Sequence, residues 1–356
     1  MLYVHIGCHK TGSSAIQQAF IRNRALLLAQ GCDFIADGSG GGVHRLAQGL
    51  RGASMQAPLP ADSAIAQIAK SKAAVKVISS EAFESASADG VKALRRHLGS
   101  QPATVVVYLR RQPDAIQSAY LQQIKRCATR MPFDAWFERF AVGAGGHSRF
   151  DYEVLIDRWK RAGFIDIVVR RYDRALLPDQ DVVADFLQAV GQSSDLRKDP
   201  RWSAVPDINR SISIVQAEVL RQLWELHGAV PDDELRKRFD PLVTHFLDTR
   251  ARDSSSLLTE AQLALCDQQF AASNQRVAAA YFPSDAALFP EKVYVPRQPM
   301  PSSLLAPKQW IAALSFAMKL SAAKPKRADK IAARKAGVAK PTPVKPNKAG
   351  AALKAS

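Results

Sequence analysis

The residues best suited to chemistry lie near the start of the chain, in the segment from Gly7 to Ser14. Besides its first glycine, this segment contains one lysine, a second glycine and three hydroxyl side chains: Lys10, Gly12, Thr11, Ser13 and Ser14. A short apolar strand is predicted before the segment and a helix after it. Backbone N–H groups at a helix N-terminus lack internal partners and favour negative charge. We therefore expect this loop to bind a phosphate-like anion.

The order of residues separates this loop from the triphosphate-binding loop GxxxxGK[ST], in which the lysine follows the glycine. Here Lys10 precedes Gly12, so the fit to a kinase or ATPase loop is poor. The plain alternative is a serine-capped helix with an incidental lysine, because Ser and Thr are common at helix N-caps. Cys8 lies in the same loop, and we interpret it as an inert small residue because anion binding needs no thiol.

A second candidate element follows the most apolar strand of the sequence, predicted from Thr104 to Leu109. The strand is followed by Arg110 and Arg111. Ser118 lies eight residues after Arg110, on the helix predicted to begin near Pro113. Ligands of open α/β sheets bind at the carboxyl ends of strands, and a guanidinium fork suits phosphate. Arg111 takes the place of Arg110 if the loop is shifted by one residue. The plain alternative is two surface arginines.

Together these two elements resemble the cofactor motifs of sulfotransferases that use 3′-phosphoadenosine-5′-phosphosulfate (PAPS), particularly bacterial members. His5 to Ser14 resembles the family's 5′-phosphosulfate loop, and the resemblance spans roughly residues 1–290. It implies that the 3′-phosphate is held by Arg110 and Ser118. It further implies that no metal is required and that the 5′-phosphate and sulfuryl group are held by Lys10, Thr11, Gly12, Ser13 and Ser14.

The activity implied is transfer of a sulfuryl group to a hydroxyl or amine, an in-line displacement analogous to phosphoryl transfer. Charge builds on the bridging oxygen of the leaving nucleotide, where Lys10 is the predicted stabilising cation. A base must take the acceptor's proton. Glu81 is the first choice, because it follows the predicted strand Val75–Ser79 and resembles the family pattern. Its alternative role is that of an N-terminal helix residue beside a capping serine.

His44 is the second choice for the base, with a surface or capping histidine as its alternative. His9 is a weaker third choice, because its direction beside Lys10 cannot be read from sequence. By family analogy the acceptor is a glycan, a glycolipid or another hydroxylated metabolite. We expect its site to be lined by connecting loops, namely Gly38–Gly42, Arg126–His147 and Ser193–Asp207.

The order of predicted elements indicates an α/β fold with a three-layer, mostly parallel sheet and helices on both faces. The resemblance implies the P-loop NTPase-like sulfotransferase version of this fold, and the chain that follows the loop Ser193–Asp207, up to about Phe289, is expected to be mainly helical. Besides the strands named above, the pattern predicts strands at Leu2–Ile6 and Ile165–Arg170, and helices at Ser13–Leu28, Val43–Leu50, Val91–Leu98 and Val182–Val190.

Charge is concentrated at the end of the chain. The net charge is +16, and the segment 319–356 contributes +10 of it through 11 Lys/Arg against one acid. We expect a catalytic domain over 1–318 and a disordered Lys/Ala/Pro-rich tail over 319–356. The tail, with the apolar segment Trp310–Leu320, is predicted to contact an anionic membrane surface or nucleic acid without sequence reading. Its alternative is a solvated tail without function.

Other features of the sequence limit the classes of protein that this chain can represent. Four cysteines without CxxC spacing predict free thiols. The sequence shows no signal peptide and no apolar run of about 18 residues. We therefore expect a cytoplasmic protein, which the tail could bring to the inner face of the membrane. No metal is expected, since HExxH and Cys/His clusters are missing. The rival functions are a small-molecule or nucleotide kinase and a non-catalytic polyanion- or glycan-binding protein.

Overall fold

The computed structural model describes residues 1–8, 10–38, 41–52, 64–143, 147–205, 212–226 and 256–297. Several predictions from sequence lie outside the described residues. These are the role of His9, the domain boundary at residue 318, the apolar segment Trp310–Leu320, the basic tail 319–356 and parts of the three predicted acceptor loops, at 39–40, 144–146 and 206–207.

A parallel sheet forms the centre of the described structure. Its five strands run in the order β2-β3-β1-β4-β5, and every pairing is parallel. The strands are β1 Leu2–Ile6, β2 Cys32–Phe34, β3 Val75–Ser80, β4 Ala103–Leu109 and β5 Asp166–Arg171. The end of β1, at Ile6, is level with Ser80 of β3 and Val107 of β4. The loops that follow these three strands therefore leave the sheet at one edge.

Twelve α-helices surround the sheet in the described ranges. They are α1 Ser13–Arg22, α2 Arg24–Ala29, α3 His44–Gly49, α4 Ala64–Lys70, α5 Ala88–Leu98, α6 Gln112–Lys125, α7 Phe133–Phe137, α8 His147–Phe150, α9 Tyr152–Arg161, α10 Val182–Ala189, α11 Ile214–Leu226 and α12 Glu260–Tyr281. Shorter turns are 3₁₀ at Glu81–Ser85, Arg174–Leu176, Pro178–Gln180 and Ser194–Lys198, and π-helical at Glu138–Val142.

Helices cover both faces of the sheet, because successive side chains of a strand point to opposite sides. In β1, Val4 belongs to a core shared with Leu94 of α5 and Trp159 of α9. His5 faces the opposite core with Phe20 of α1 and Phe186 of α10. The α/β class and the three-layer parallel sheet predicted from sequence are confirmed.

The predicted helical character of the C-terminal part is also confirmed. A third core lies away from the sheet among α6, α7, α11 and α12, with Trp136, Trp224 and Phe270 fully buried in it. Among the helices that the structure describes, none combines the length and the apolar stretch needed to cross a bilayer.

Two details of the predicted elements are wrong. The strand Cys32–Phe34 was not predicted, because three residues with Asp33 in the middle give no clear period. The helix predicted from Ser13 to Leu28 divides at Asn23. The side chain of Asn23 donates to the carbonyls of Ala19 and Ser203, at 2.8 and 3.1 Å, and accepts from Ser203 N at 2.7 Å. This contact with a distant loop replaces the continuous helix.

A buried carboxylate joins β4, β5 and α10. Asp185 is 1% exposed and accepts hydrogen bonds from Tyr108 Oη at 2.6 Å and Arg170 Nε at 2.9 Å, with a second contact from Arg170 Nη2. Burial, followed by the neighbouring Asp185 carboxylate, raises the pKa of Tyr108. A buried charge is tolerated when it is paired and hydrogen-bonded in this way.

We expect Asp185→Ala to lower the free energy of unfolding by about 3–5 kcal/mol, because it leaves the half-buried Arg170 without its counter-charge. The milder Tyr108→Phe should cost about 1 kcal/mol. Asp157→Ala removes an exposed partner of Arg161 and should cost less than about 0.5 kcal/mol. Urea denaturation measures all three. Equal losses for Asp185→Ala and Asp157→Ala would contradict the role given to the network.

Candidate active site

A cleft of about 900 Å³ opens at the carboxyl edge of the sheet. Its walls come from the loops after β1, β3, β4 and β5 and from α3 and α6. The structure therefore brings together residues that lie more than 100 positions apart in sequence. Of the candidate site residues predicted from sequence, those that line the cleft are Lys10, Gly12, Ser13, Ser14, His44, Glu81, Arg110, its alternative Arg111, and Ser118.

The loop after β1 owes its shape to two positive φ angles. Gly12 has φ +81°, and a Cβ at this position would lie 2.8 Å from Val182 Cγ1, so only glycine fits. Lys10 has φ +69°. Thr11 is fully buried, and its hydroxyl donates to the carbonyl of Cys8 at 2.6 Å. The Thr11 side chain thus holds the loop together and does not line the cleft.

Two serines stand at the N-terminus of α1, where the loop ends. Ser13 Oγ is buried and has no hydrogen-bond partner in the described part of the chain. Ser14 Oγ donates to Glu81 Oε1 at 3.4 Å. A buried hydroxyl without a partner costs about 1–3 kcal/mol, so this end of the helix is suited to a ligand that supplies acceptor oxygens. The loop therefore fits a phosphate or sulfate group.

Lys10 lies among other cations. Its pKa is lowered from 10.5 to about 8, first by burial and then by repulsion from Lys125, Arg126 and Arg110, while Glu81 acts in the opposite direction. An anion bound beside Lys10 would reverse this effect, because an opposite charge favours the charged form. The loop is thus arranged so that an anion relieves an unfavourable concentration of positive charge.

The two arginines at the end of β4 have different partners. Arg110 Nη1 donates to the carbonyl of Lys10 at 3.2 Å, and its guanidinium lies 5.9 Å from the centre of the Tyr172 ring. Arg111 Nη1 pairs with Asp173 Oδ2 at 2.6 Å, and its Nη2 donates to Pro290 O at 2.6 Å. Of the two, Arg110 therefore keeps more donors for a ligand, and Tyr152 Oη fixes its carbonyl.

Both candidate bases stand on the wall opposite Arg110. His44 Nδ1 lies 2.8 Å from Ser80 Oγ and 3.9 Å from Glu81 Oε2. The side chains of His44 and Glu81 are 21% and 24% exposed, so a ligand in the cleft can reach either one. Ser80 Oγ also accepts from Ala82 N at 3.1 Å and caps the turn Glu81–Ser85. Glu81 thus follows a capping serine and lines the cleft at the same time.

Sequence reasoning missed several residues of the cleft. Those with the largest consequence are cations and a ring on its walls, Arg51, Lys125, Arg174, Lys292 and Tyr172, whereas Arg126 begins one of the predicted acceptor loops. One signal was available, because Ser118, Gln122 and Lys125 are spaced four and three residues apart and share one helix face. Among the described residues, eight Lys/Arg and three carboxylates line the cleft. The described ranges contain no group of three or more metal-ligating side chains.

Comparison with known proteins adds little to this geometry. No protein-family model matches the chain. The chain is 30% identical over 211 residues to an uncharacterized protein of Archaeoglobus fulgidus, which covers 58% of this chain and 53% of the relative. The chain therefore spans about half the length of that relative. A crystal structure of a sulfotransferase from Alicyclobacillus acidocaldarius covers 66% of this chain and 98% of its own, at 15% identity and a TM-score of 0.37. A TM-score this low supports no conclusion about fold or activity.

We expect the Lys10 ammonium group to titrate near pH 8 instead of near 10.5, because burial and the surrounding cations disfavour its charged form. NMR of lysine labelled at the ε-carbon measures the midpoint, and the signal that is lost in Lys10→Arg assigns it. Lys125→Gln removes one repelling charge and should raise the midpoint. Lys92→Gln, on exposed α5, is the matched control and should leave it unchanged. A wild-type midpoint of about 10 would contradict the crowding of charge described above.

Proposed function

We propose that this protein transfers a sulfuryl group from PAPS to a hydroxyl group of an acceptor. One observation carries the proposal: two anion-binding elements on neighbouring strands meet in one cleft, joined by the hydrogen bond from Arg110 to the Lys10 carbonyl. The loop after β1 suits the phosphosulfate end of the nucleotide. Arg110 and Ser118 suit a separate phosphate. PAPS carries phosphorylated oxygens at both its 5′ and 3′ positions, whereas a simple nucleoside phosphate would leave one element without a partner.

In the reaction proposed, the acceptor oxygen bonds to sulfur while the bond from sulfur to the bridging oxygen of the 5′-phosphate breaks. The bonding electrons stay on that oxygen, which leaves as part of 3′-phosphoadenosine-5′-phosphate (PAP). Lys10, with Ser13 Oγ and the N–H groups at the start of α1, stabilises the charge that builds there. The proton of the acceptor hydroxyl passes to a base on the chain.

Glu81 is the base that we propose. Its carboxylate accepts from Ser14 Oγ at 3.4 Å and therefore lies beside the loop that holds the sulfuryl group. His44 lies behind it, with Nδ1 within 2.8 Å of Ser80 Oγ. When Nδ1–H donates to Ser80 Oγ, this hydrogen bond orients the imidazole and Nε2 is the alternative proton acceptor.

The rival functions differ in the nucleotide they require. A kinase needs a triphosphate, and a non-catalytic glycan- or polyanion-binding protein needs no nucleotide. The acceptor is proposed to be a glycan, a glycolipid or another hydroxylated molecule. The cytoplasmic location, and contact of the tail 319–356 with anionic lipid or nucleic acid, stay predictions from sequence alone.

The nucleotide is tested by comparing PAP with 5′-AMP, which lacks the 3′-phosphate. We expect wild-type protein to bind PAP more tightly than 5′-AMP or ATP in calorimetry. Arg110→Ala should lower PAP affinity about 10- to 100-fold, since a hydrogen bond to a charged group contributes about 1.5–3 kcal/mol. It should leave 5′-AMP affinity almost unchanged. Lys10→Ala should weaken both ligands.

The control for these variants is Arg161→Gln, which removes a charge that is 81% exposed on α9 and should change neither affinity. Tighter binding of ATP than of PAP by wild-type protein would favour the kinase. Unchanged PAP affinity in both Lys10→Ala and Arg110→Ala would remove the basis for the proposed function.

The base is tested by separating binding from turnover. Glu81→Gln should keep PAP affinity within about threefold of wild type while sulfuryl transfer falls about 10²- to 10⁴-fold, the usual contribution of a general base. Transfer is measured as ³⁵S passing from labelled PAPS to hydroxylated molecules of a cell extract. If His44→Ala loses transfer and Glu81→Gln keeps it, the base is His44.

A further inference from the structure

The walls of the cleft continue beyond the residues assigned to the nucleotide. On α6, Gln122 and Lys125 lie four and seven residues after Ser118 on the same helix face, and all three line the cleft. With a rise of about 1.5 Å per residue, Lys125 stands roughly 10 Å farther along the axis than Ser118. The cleft therefore has a distal part that lies about two helical turns from the cofactor residue on α6.

The other wall repeats this arrangement. Beyond His44 on α3, the cleft is lined by Gln48 and then by Arg51, four and seven residues on. Both walls thus progress from a residue of the proposed reaction site to an amide and then to a cation. The distal part is lined by amides and cations. An amide both donates and accepts hydrogen bonds, so it can bind a hydroxyl group in either role.

The distal cations have no carboxylate within ion-pair distance in the described ranges. Lys125, Arg126 and Arg51 form no salt bridge there, whereas the cleft residues Arg111 and Lys292 pair with Asp173 and Asp114. Lys125 is half-buried, and burial followed by repulsion from Arg126 lowers its pKa. Lys125 and Arg126 are close enough to repel each other and have no counter-charge in the described ranges, which favours an anionic ligand, and the exposed Arg51 adds positive charge on the other wall.

The phosphate groups of the nucleotide are assigned to the loop after β1 and to the pair Arg110 and Ser118. Lys125 and Arg126 lie close enough to Lys10 to lower its pKa, so in the proposed reaction they border the place where the acceptor meets the sulfuryl group. A volume of about 900 Å³ is at the upper end of the roughly 300–1,000 Å³ that small-molecule sites occupy. The cleft thus has room for part of a second ligand beside the nucleotide.

We propose that the acceptor is itself an anion, a polyhydroxylated molecule whose carboxylate, phosphate or sulfate group is held by Lys125, Arg126 and Arg51. This inference rests on the proposed function, because it identifies the distal part of the cleft as the acceptor side. Gln48 and Gln122 contact hydroxyl groups of the acceptor between its anionic group and the hydroxyl that is sulfated. A neutral acceptor would leave the three cations without a counter-charge from the part of the chain that the structure describes.

The test uses protein saturated with PAP, so that the nucleotide elements are filled before the acceptor is added. Three pairs of short oligosaccharides serve as probes, each an anionic oligomer with its neutral counterpart. They are oligoglucuronate with its carboxyl-reduced form, phosphorylated oligomannose with its dephosphorylated form, and sulfated oligogalactose with its desulfated form. Calorimetry measures each affinity, and the pair that binds identifies the anionic group preferred.

We expect at least one anionic oligomer to bind at least tenfold more tightly than its neutral counterpart. Lys125→Gln/Arg126→Gln should lower that affinity tenfold or more while PAP is kept saturating for each variant. The matched control is Arg161→Gln/Lys198→Gln, which removes the same charge from side chains that are 81% and 80% exposed. The control should bind the oligomer like wild type.

The outcomes separate this inference from the function on which it rests. If PAP binds as proposed but none of the anionic oligomers binds better than its neutral counterpart, the anionic acceptor is wrong and the sulfuryl transfer stands. Equal loss of oligomer affinity in the control variant, or none in Lys125→Gln/Arg126→Gln, also overturns it. Failure of PAP to bind wild-type protein refutes the proposed function itself.

Discussion

Parallel pairing on both sides of β1 determines where the cleft forms. β3 and β4 lie in register with the end of β1, so the loops carrying Lys10, Glu81 and Arg110 leave the sheet at the same edge. The helix layers on both faces leave this edge as the place where polar side chains can gather without burial in a core. Residues about 70 to 100 positions apart in sequence thus converge through backbone pairing alone, before any side chain of the site contacts another.

This dependence on strand ends explains how much of the site could be predicted from sequence. Apolar runs show where β1, β3 and β4 end, so the sequence alone predicts that the polar residues after these strands lie close together. β2 could not be predicted from sequence because Asp33 interrupts its apolar pattern. The burial of this strand depends on Arg24 and Ser71, which bond the Asp33 carboxylate at 3.0 and 2.8 Å. The break in the predicted helix at Asn23 could not be predicted from sequence because the partner of Asn23, Ser203, is 180 residues away.

The direction of a side chain is the second thing that sequence did not supply. Residue type and spacing made Thr11 a ligand of the anion and gave Arg110 as the phosphate residue with Arg111 as its alternative. The structure turns the Thr11 hydroxyl to Cys8 O and gives Arg111 to Asp173. Lys125 and Arg126 belong to no motif apart from the helix-face spacing that Lys125 shares with Ser118 and Gln122, and it is the position of α6 that places them beside Lys10. Tertiary packing, and not local pattern, assigns these roles.

The left-handed backbone of Lys10 has a consequence for the history of such chains. At φ +69° a glycine or an asparagine is accommodated at lower cost than a lysine. If the anion site requires the lysine charge, as proposed, that requirement offsets the backbone cost. In a lineage released from that requirement, drift should bring Gly or Asn to this position early, with a gain in stability. A single codon in the loop would then distinguish diverged copies that have kept the ancestral chemistry from those that have kept only the fold.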